Sequence, residues 1–143
     1  MEAVAKIKNC PMSARKMRYI ADIIRGKDAQ KALDILAFTK NEAAEWLEKL
    51  LLSAVANWEY KLEGMTSAAD HDLYIKELFV DEAGMLRRFR PAPQGRAQRI
   101  RKRRNHVTLI VENKIPLPPD LEQKAQHEPQ EVDVVEVEEL TED

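Results

Sequence analysis

The sequence predicts an α+β fold: a two-layer body of one strand, three helices and two further strands, from which a long β-hairpin projects. Three observations carry that expectation. The N-terminus holds a short alternating segment, three successive segments then repeat apolar residues at helical spacing, and two extended runs flank a turn containing proline and glycine. At 143 residues the chain has the length of one domain built on one hydrophobic core.

Residues 3 to 9 (Ala-Val-Ala-Lys-Ile-Lys-Asn) alternate small or apolar with basic and polar side chains. Pro11 ends this strand, because proline donates no ladder hydrogen bond. Ser13 suits an N-cap ahead of Met17, Ile20, Ala21 and Ile24, which recur at i, i+3, i+4 and i+7, and Gly26 is the left-handed stop. Arg15, Lys16, Arg18 and Arg25 decorate the rest of this helix. Asp28 is placed to cap a second, shorter helix with Leu33, Leu36 and Ala37 inward, ending near Phe38. A third helix begins between Thr39 and Asn41, where Thr39 and Glu42 have the spacing of a capping box. Its stripe is Leu47, Leu50, Leu51, Ala54, Val55 and Trp58. Running to Gly64, it would span roughly 35 Å at about 1.5 Å per residue and form the spine of the core. Trp46 and Trp58 read as core and rim residues of that helix rather than as a cofactor box.

A polar stretch from Thr66 to Asp72 leads into an extended run, Leu73 to Val80, whose partner is His106 to Glu112 with Val107, Leu109 and Val111 on one face. Between them, residues 85 to 106 contain nine basic side chains, Arg87, Arg88, Arg90, Arg96, Arg99, Arg101, Lys102, Arg103 and Arg104, and no acidic one. Such a stretch cannot bury a core. Pro91-Ala92-Pro93-Gln94-Gly95 at its centre is turn chemistry, and residues 73 and 112 stand equally far from it, as a single hairpin requires. Each arm of about 18 residues would reach roughly 60 Å if fully extended, whereas a body of this size has a radius nearer about 15 Å. Most of the hairpin must project.

Lys plus Arg number 23 and Asp plus Glu 25, a net of -2 that read alone argues against a nucleic-acid partner. The average hides a division. Residues 1 to 112 hold 21 basic and 15 acidic side chains, a net of +6, and residues 113 to 143 hold 2 and 10, a net of -8. Residues 1–112 are therefore read as a basic domain with its hairpin extension at about 80–106, and residues 113–143 as an acidic, flexible tail. The tail begins with Ile115-Pro116-Leu117-Pro118-Pro119 as a stiff linker, then interleaves acids with Val132, Val134, Val135, Val137 and Leu140. Solubilisation is the default role; an added strand from Val132 to Leu140 on a neighbouring protein is the alternative.

An isolated two-stranded ribbon is marginal in water, and nine like charges make it worse, so a polyanion is needed to order it. Arginine supplies eight of the nine. Its planar fork makes bidentate phosphate contacts and stacks on bases, which favours folded RNA or DNA. Phe89 stands among these arginines, placed either to stack on a base or to pack across the ribbon. An architectural DNA-binding protein that clamps the minor groove with basic β-arms is the second reading.

Cys10 is the single cysteine, so no internal disulfide or zinc set forms, and a reducing cytoplasm fits. No apolar run has the length of a signal peptide or a membrane span, and no glycine-rich phosphate loop is present. Neither cofactor, metal, membrane nor small-molecule substrate is expected. Asp70-His71-Asp72 and Asp81-Glu82 are the body's acid clusters, but neighbouring strand residues face opposite ways and do not converge on an ion. No catalytic residue is assigned, and a metal-dependent nuclease is a distant third.

Several strings resemble the family of bacterial large-subunit ribosomal protein twenty-two. They are Ser13-Ala14-Arg15-Lys16-Met17-Arg18, Ala21-Asp22-Ile23-Ile24-Arg25-Gly26, Ala32-Leu33-Asp34-Ile35-Leu36, Phe79-Val80-Asp81-Glu82 and Gly95-Arg96-Ala97 through Arg99-Ile100, in the family's order and spacing over roughly residues 3 to 112. The resemblance implies a cytoplasmic ribosomal protein that binds large-subunit ribosomal RNA early in assembly, with neighbouring ribosomal proteins and the nascent polypeptide as further partners. It implies RNA contacts from all nine ribbon cations and, on the body, from Arg15, Lys16, Arg18 and Arg25. It also places the tip, Leu86, Arg87, Arg88, Phe89, Arg90, Pro91, Ala92, Pro93, Gln94 and Gly95, at or near the wall of the polypeptide exit tunnel. Ala92, Pro93 and Gln94 stand where members often carry basic residues, and the tail after residue 113 lies outside the pattern.

Overall fold

Alternation at the N-terminus resolves in the computed structural model as strand β1, Glu2–Cys10, followed by helices α1, Ala14–Ile24, α2, Ala29–Phe38, and α3, Glu42–Lys61. A short 3-10 turn, Ala68–His71, precedes strand β2, Leu73–Pro91; a second, Pro93–Gly95, joins it to strand β3, Ala97–Asn113. The structure describes residues 1–62 and 67–118. The helix stop read at Gly64, the start of the polar stretch at Thr66 and the tail beyond Pro118 lie outside the described residues. One antiparallel sheet, in the order β1-β3-β2, is covered on one face by the helices, the two-layer α+β arrangement the sequence predicted.

Period-two burial on the central strand shows which face is covered. Asn105, Val107, Leu109 and Val111 are buried, while the residues between them are half-buried on the open face. Against them pack Ala3 and Ala5 of β1, Leu73, Ile75, Leu78 and Val80 of β2, and the helix stripes. From α1 come Met17, Ile20, Ala21 and Ile24, as the spacing required. The 20-residue α3 is the spine, burying Leu47, Leu50, Leu51, Ala54 and Trp58 and leaving Val55 half-buried. Fully burying a side chain such as Leu51 or Leu109 contributes about 1.5–3 kcal/mol, so the contact between sheet and helices supplies most of the driving force. Trp58 is core, with its ring tilted against His71 at 5.5 Å between centroids, and Trp46 sits half-buried at the rim.

Both sheet edges are closed by donors from the helical layer. On β2, the Arg18 Nε and Nη2 donate to the Val80 carbonyl at 3.1 and 2.8 Å, and the Arg25 Nη2 donates to the Leu78 carbonyl at 3.0 Å. On β1, the Asn57 amide donates to the Val4 carbonyl at 3.1 Å and the Lys61 ammonium to the Glu2 carbonyl at 3.1 Å. Unpaired strand carbonyls are templates for edge-to-edge association, and four side chains occupy them.

The caps differ from the sequence reading in two places. Ser13 caps α1 as expected, accepting from the Lys16 amide at 3.4 Å, and Gly26 adopts φ +75 beyond it. Asp28 precedes α2 but makes no side-chain cap bond, because Lys31 and Lys114 hold its carboxylate instead. That pairing lowers its pKa to about 2, the bond from Lys114 being the largest cause and that from Lys31 next. The α3 cap is Asn41, whose Oδ1 accepts from the Ala43 amide at 3.1 Å. Thr39 turns back and donates to the Ile35 carbonyl at 2.7 Å, so it closes α2 rather than opening α3. Ala37, read as inward, is exposed and Leu33 only half-buried; Ala29, Ala32 and Leu36 form the covered face of α2. Past β3, Leu117 of the segment read as a linker is 5% exposed and joins the core.

Candidate nucleic-acid interface

The ribbon begins where the core ends. No residue between Val80 and Asn105 belongs to the buried cluster, yet β2 and β3 stay paired out to Pro91 opposite Ala97. About 30 Å of two-stranded ribbon therefore stands clear of the core, at about 3.3 Å per residue.

Asn105 anchors its base. It occupies a core-phase position on β3, is 0% exposed, and its Nδ2 donates to the Met12 carbonyl at 2.7 Å, tying the ribbon to the β1–α1 connection. On the opposite side of the same junction Asn9, with φ +56 beside an irregularity in β1, donates its amide to the His106 Nδ1 at 3.1 Å. The sequence reading did not single out these two residues. Asn105 had a signal, a polar side chain at an inward position of an otherwise apolar period-two run; Asn9, exposed and bonded through its backbone amide, had none.

A second irregularity lies in β2 between Ala83 and Leu86, where Gly84 and Met85 take up an extra position before pairing resumes at Leu86 opposite Lys102. Bulges of this kind bend and twist a strand, which aims the ribbon away from the plane of the sheet. Beyond it the register fixes two faces. Arg87 opposes Arg101 and Phe89 opposes Arg99, on the face continuous with the helical layer. Lys102 opposes Leu86, Ile100 opposes Arg88 and Gln98 opposes Arg90, on the face continuous with the open side of the sheet. Cations thus line both sides, and the directly opposed pair Arg87 and Arg101 is destabilising until an anion lies between them. Phe89 is 68% exposed, flat against no core and free to stack.

At the tip the Ala92 amide donates to the Arg96 carbonyl at 2.8 Å, and Gln94 and Gly95 both have positive φ, +63 and +68. Glycine adopts that conformation freely; glutamine does so under strain. The tip presents Pro91, Ala92, Pro93 and Gln94 to solvent without a charge.

Of the nine ribbon cations, eight are exposed and Arg104, at the base, is half-buried. Among the described residues no carboxylate pairs within 4.0 Å of Arg87, Arg88, Arg90, Arg96, Arg99, Arg101, Lys102 or Arg103. The body cations divide. Arg15 and Lys16 are exposed on α1, Lys16 beside the base of the ribbon, whereas the guanidiniums of Arg18 and Arg25 are engaged by the β2 carbonyls, Arg25 also by Asp22 at 2.5 Å. Lys76 pairs with Glu2 and with Glu112 at 3.3 Å, which raises its pKa, the bond to Glu2 being the largest cause. Tyr74 donates to Glu112 at 2.7 Å, and that bond chiefly lowers the carboxylate's pKa.

The residues weighed for catalysis do not assemble. His71 is buried against Trp58, Asp81 and Glu82 stand opposite His106 and Asn105 on alternate faces of the strand, and no three His, Cys, Asp or Glu side chains are grouped as a metal site among the described residues. Burial pushes the Cys10 thiol up to about 11, with a contribution from Glu42, so it is an inert core residue. Among the described residues no helix is long and apolar enough to cross a membrane.

Comparison with known proteins accounts for this arrangement. The family model of ribosomal protein L22p/L17e matches residues 5–112. The large ribosomal subunit protein uL22 of Christiangramia forsetii is 57% identical over 109 residues, covering 76% of this chain and 80% of that protein. Its counterparts from Flavobacterium johnsoniae and Bacteroides fragilis are 56% and 54% identical over 110 residues, covering 76% and 77% of this chain and 79% of each relative. Body and ribbon fall inside the match and the acidic tail outside it, so the chain belongs to the ribosomal protein L22p/L17e family, a family of structural ribosomal proteins and not of enzymes.

Proposed function

We propose that this chain is a structural constituent of the large subunit of a bacterial cytoplasmic ribosome, binding large-subunit ribosomal RNA through its ribbon and supporting early subunit assembly. The observation that supports this most directly is the ribbon: eight exposed cations without an acidic partner among the described residues, on the outer segments of β2 and β3, which contribute nothing to the core. A two-stranded element that costs the free protein self-repulsion is retained for what it binds. Arg87, Arg88, Arg90, Arg96, Arg99, Arg101, Lys102, Arg103 and Arg104 take phosphates, with Arg15 and Lys16 adding contacts from the body. Arg18 and Arg25 join them only with donors left over from the sheet edge. The tip, Leu86 to Gly95, lines the polypeptide exit tunnel and meets the nascent chain with an uncharged surface at Pro91 to Gly95. Neighbouring large-subunit proteins pack on the body, and residues 113–143 act as an acidic appendage.

Sedimentation of a cell lysate tests this reading. The tagged chain should migrate with the large subunit, and ribonuclease but not deoxyribonuclease should release it. Release by deoxyribonuclease alone would overturn it in favour of a DNA-binding protein with basic β-arms.

A further inference from the structure

We infer that the groove where the ribbon leaves the body is a built site for an RNA backbone phosphate, and that this contact fixes the ribbon's direction relative to the body. The inference rests on the RNA-binding reading and names where that binding is organised. The groove has a volume of about 550 Å³ and draws its walls from three parts of the chain: the β1–α1 connection with the first turn of α1, the start of α3, and the base of the ribbon. Lys16 comes from the first wall and Arg101 and Arg103, on the face continuous with the helical layer, from the third; Lys102 and Arg104 border the groove from the alternate positions that face the open side of the sheet. A stretch of sugar-phosphate backbone fits such a space; a whole nucleic-acid helix does not.

Cations on separate elements are not gathered into a concavity by folding energetics, since their mutual repulsion is strongest where water is least. A phosphate reverses that cost, because each cation then contributes a charge-assisted hydrogen bond. The frame is rigid before the ligand arrives. Asn105 at 0% exposure, bonded to the Met12 carbonyl in the groove wall, holds the ribbon's base, and Ser13 fixes the start of α1 beside Lys16. Preorganised donors bind more tightly than the same charges on the outer ribbon, which has no core to brace it. Glu42 is the one carboxylate of the lining. In the free protein it moderates the repulsion; with a phosphate bound it is a like charge, opposing the ligand.

That carboxylate supplies a test with a gain of binding, which a folding defect does not produce. Affinity of the full chain for a large-subunit ribosomal RNA fragment is measured at fixed salt, alongside melting to confirm folding. Glu42→Gln should bind about fivefold more tightly, the size expected for one screened charge pair. The groove pair Lys16→Gln with Arg103→Gln should lose at least about tenfold more affinity than the outer pair Arg90→Gln with Arg99→Gln, although both remove two charges. Titration with inorganic phosphate alone should shift the amide resonances of Lys16, Glu42 and Arg103 and leave those of Arg96 and Arg99 unmoved. If Glu42→Gln is neutral or weakening, or the two pairs cost the same, the groove is not a built site while the RNA-binding reading stands. If the unaltered chain binds the RNA fragment no better than a neutral protein does, that reading fails and the groove proposal falls with it.

Discussion

Excising the ribbon separates the part of the chain that folds from the part that binds. Ala83 and Arg104 are directly opposed across β2 and β3, so residues 84–103 can be replaced by an Asn-Gly turn without changing the register of the sheet. None of the removed residues belongs to the buried core. The loss of ribbon pairing costs little, since an isolated two-stranded hairpin is marginal in water. Against that stands a gain. Closing a two-residue turn instead of a loop of about 20 residues saves (3/2)RT ln 10, about 2 kcal/mol, and the repulsion between Arg87 and Arg101 disappears with the ribbon. Body stability should therefore be unchanged or up to about 2 kcal/mol higher, raising the Tm by up to about 8–16 °C at about 4–8 °C per kcal/mol. Scanning calorimetry reads this directly, and sedimentation of the same variant should show association with the large subunit lost. A fall in Tm of more than about 5 °C, or the loss of a single cooperative transition, would show that the ribbon is part of the fold and that the division drawn between body and ribbon is wrong.

Asn105→Ala removes the hydrogen bond to Met12 from a fully buried site, and urea unfolding should show a loss of about 1–2 kcal/mol. Arg18→Ala should lower the Tm while leaving the salt dependence of RNA binding nearly intact, because its guanidinium serves the Val80 carbonyl; Arg15→Ala should do the reverse, and identical behaviour of the two would contradict that division. With eight to nine ribbon cations neutralising phosphates, log affinity against log salt should fall with a slope of about -6 to -8, and a slope near zero would exclude the ribbon as the RNA-binding element. The folded-state pKa of Asp28 lies below its ordinary 3.8, at about 2, so its ionised form stabilises the fold above pH 3.8 and that contribution vanishes as the pH falls through 2. Asp28→Asn should therefore melt lower than the unaltered chain at pH 7, with the difference shrinking between pH 4 and pH 2; a constant difference would refute the pairing with Lys114 and Lys31.

Elements whose evidence was periodic were legible. Met17, Ile20, Ala21 and Ile24 gave α1 its face, and Val107, Leu109 and Val111 gave β3 its phase, because burial of a regular stripe is the same physics in sequence and in structure. The hairpin was legible for the opposite reason: a run with few large apolar residues has little to fold against. Local choices among polar groups were not legible. Thr39 and Asn41 both suit an N-cap, and the outcome depended on which side chain had a free α2 carbonyl within reach. Asp28 lost its capping role to Lys114, 86 residues away, a partner that no local pattern reveals. Arg18 and Arg25 looked like surface charges equivalent to Arg15 and Lys16; only the topology, which leaves β2 at a sheet edge under α1, separates them.

That topology changes what the charge of the chain means. Outside residues 85–106, the first 112 residues carry 12 basic and 15 acidic side chains, so the body is itself slightly acidic and the ribbon holds nine cations and no acid. The body's cations are further spent inside it: Arg25 on Asp22, Lys31 on Asp28, and Lys76 on Glu2 and Glu112. A polyanion approaching from far away meets a near-neutral molecule, because at about 0.15 M salt charges are screened beyond about 8 Å. One that reaches the ribbon meets unscreened arginines on both faces and a cationic groove at its base. A ligand that surrounds a ribbon of about 30 Å engages the cations of both faces at once, a shape that folded RNA offers and a single extended polyanion does not. Segregating charge in this way makes shape the gate for electrostatics, and it predicts from the fold what net charge alone contradicts.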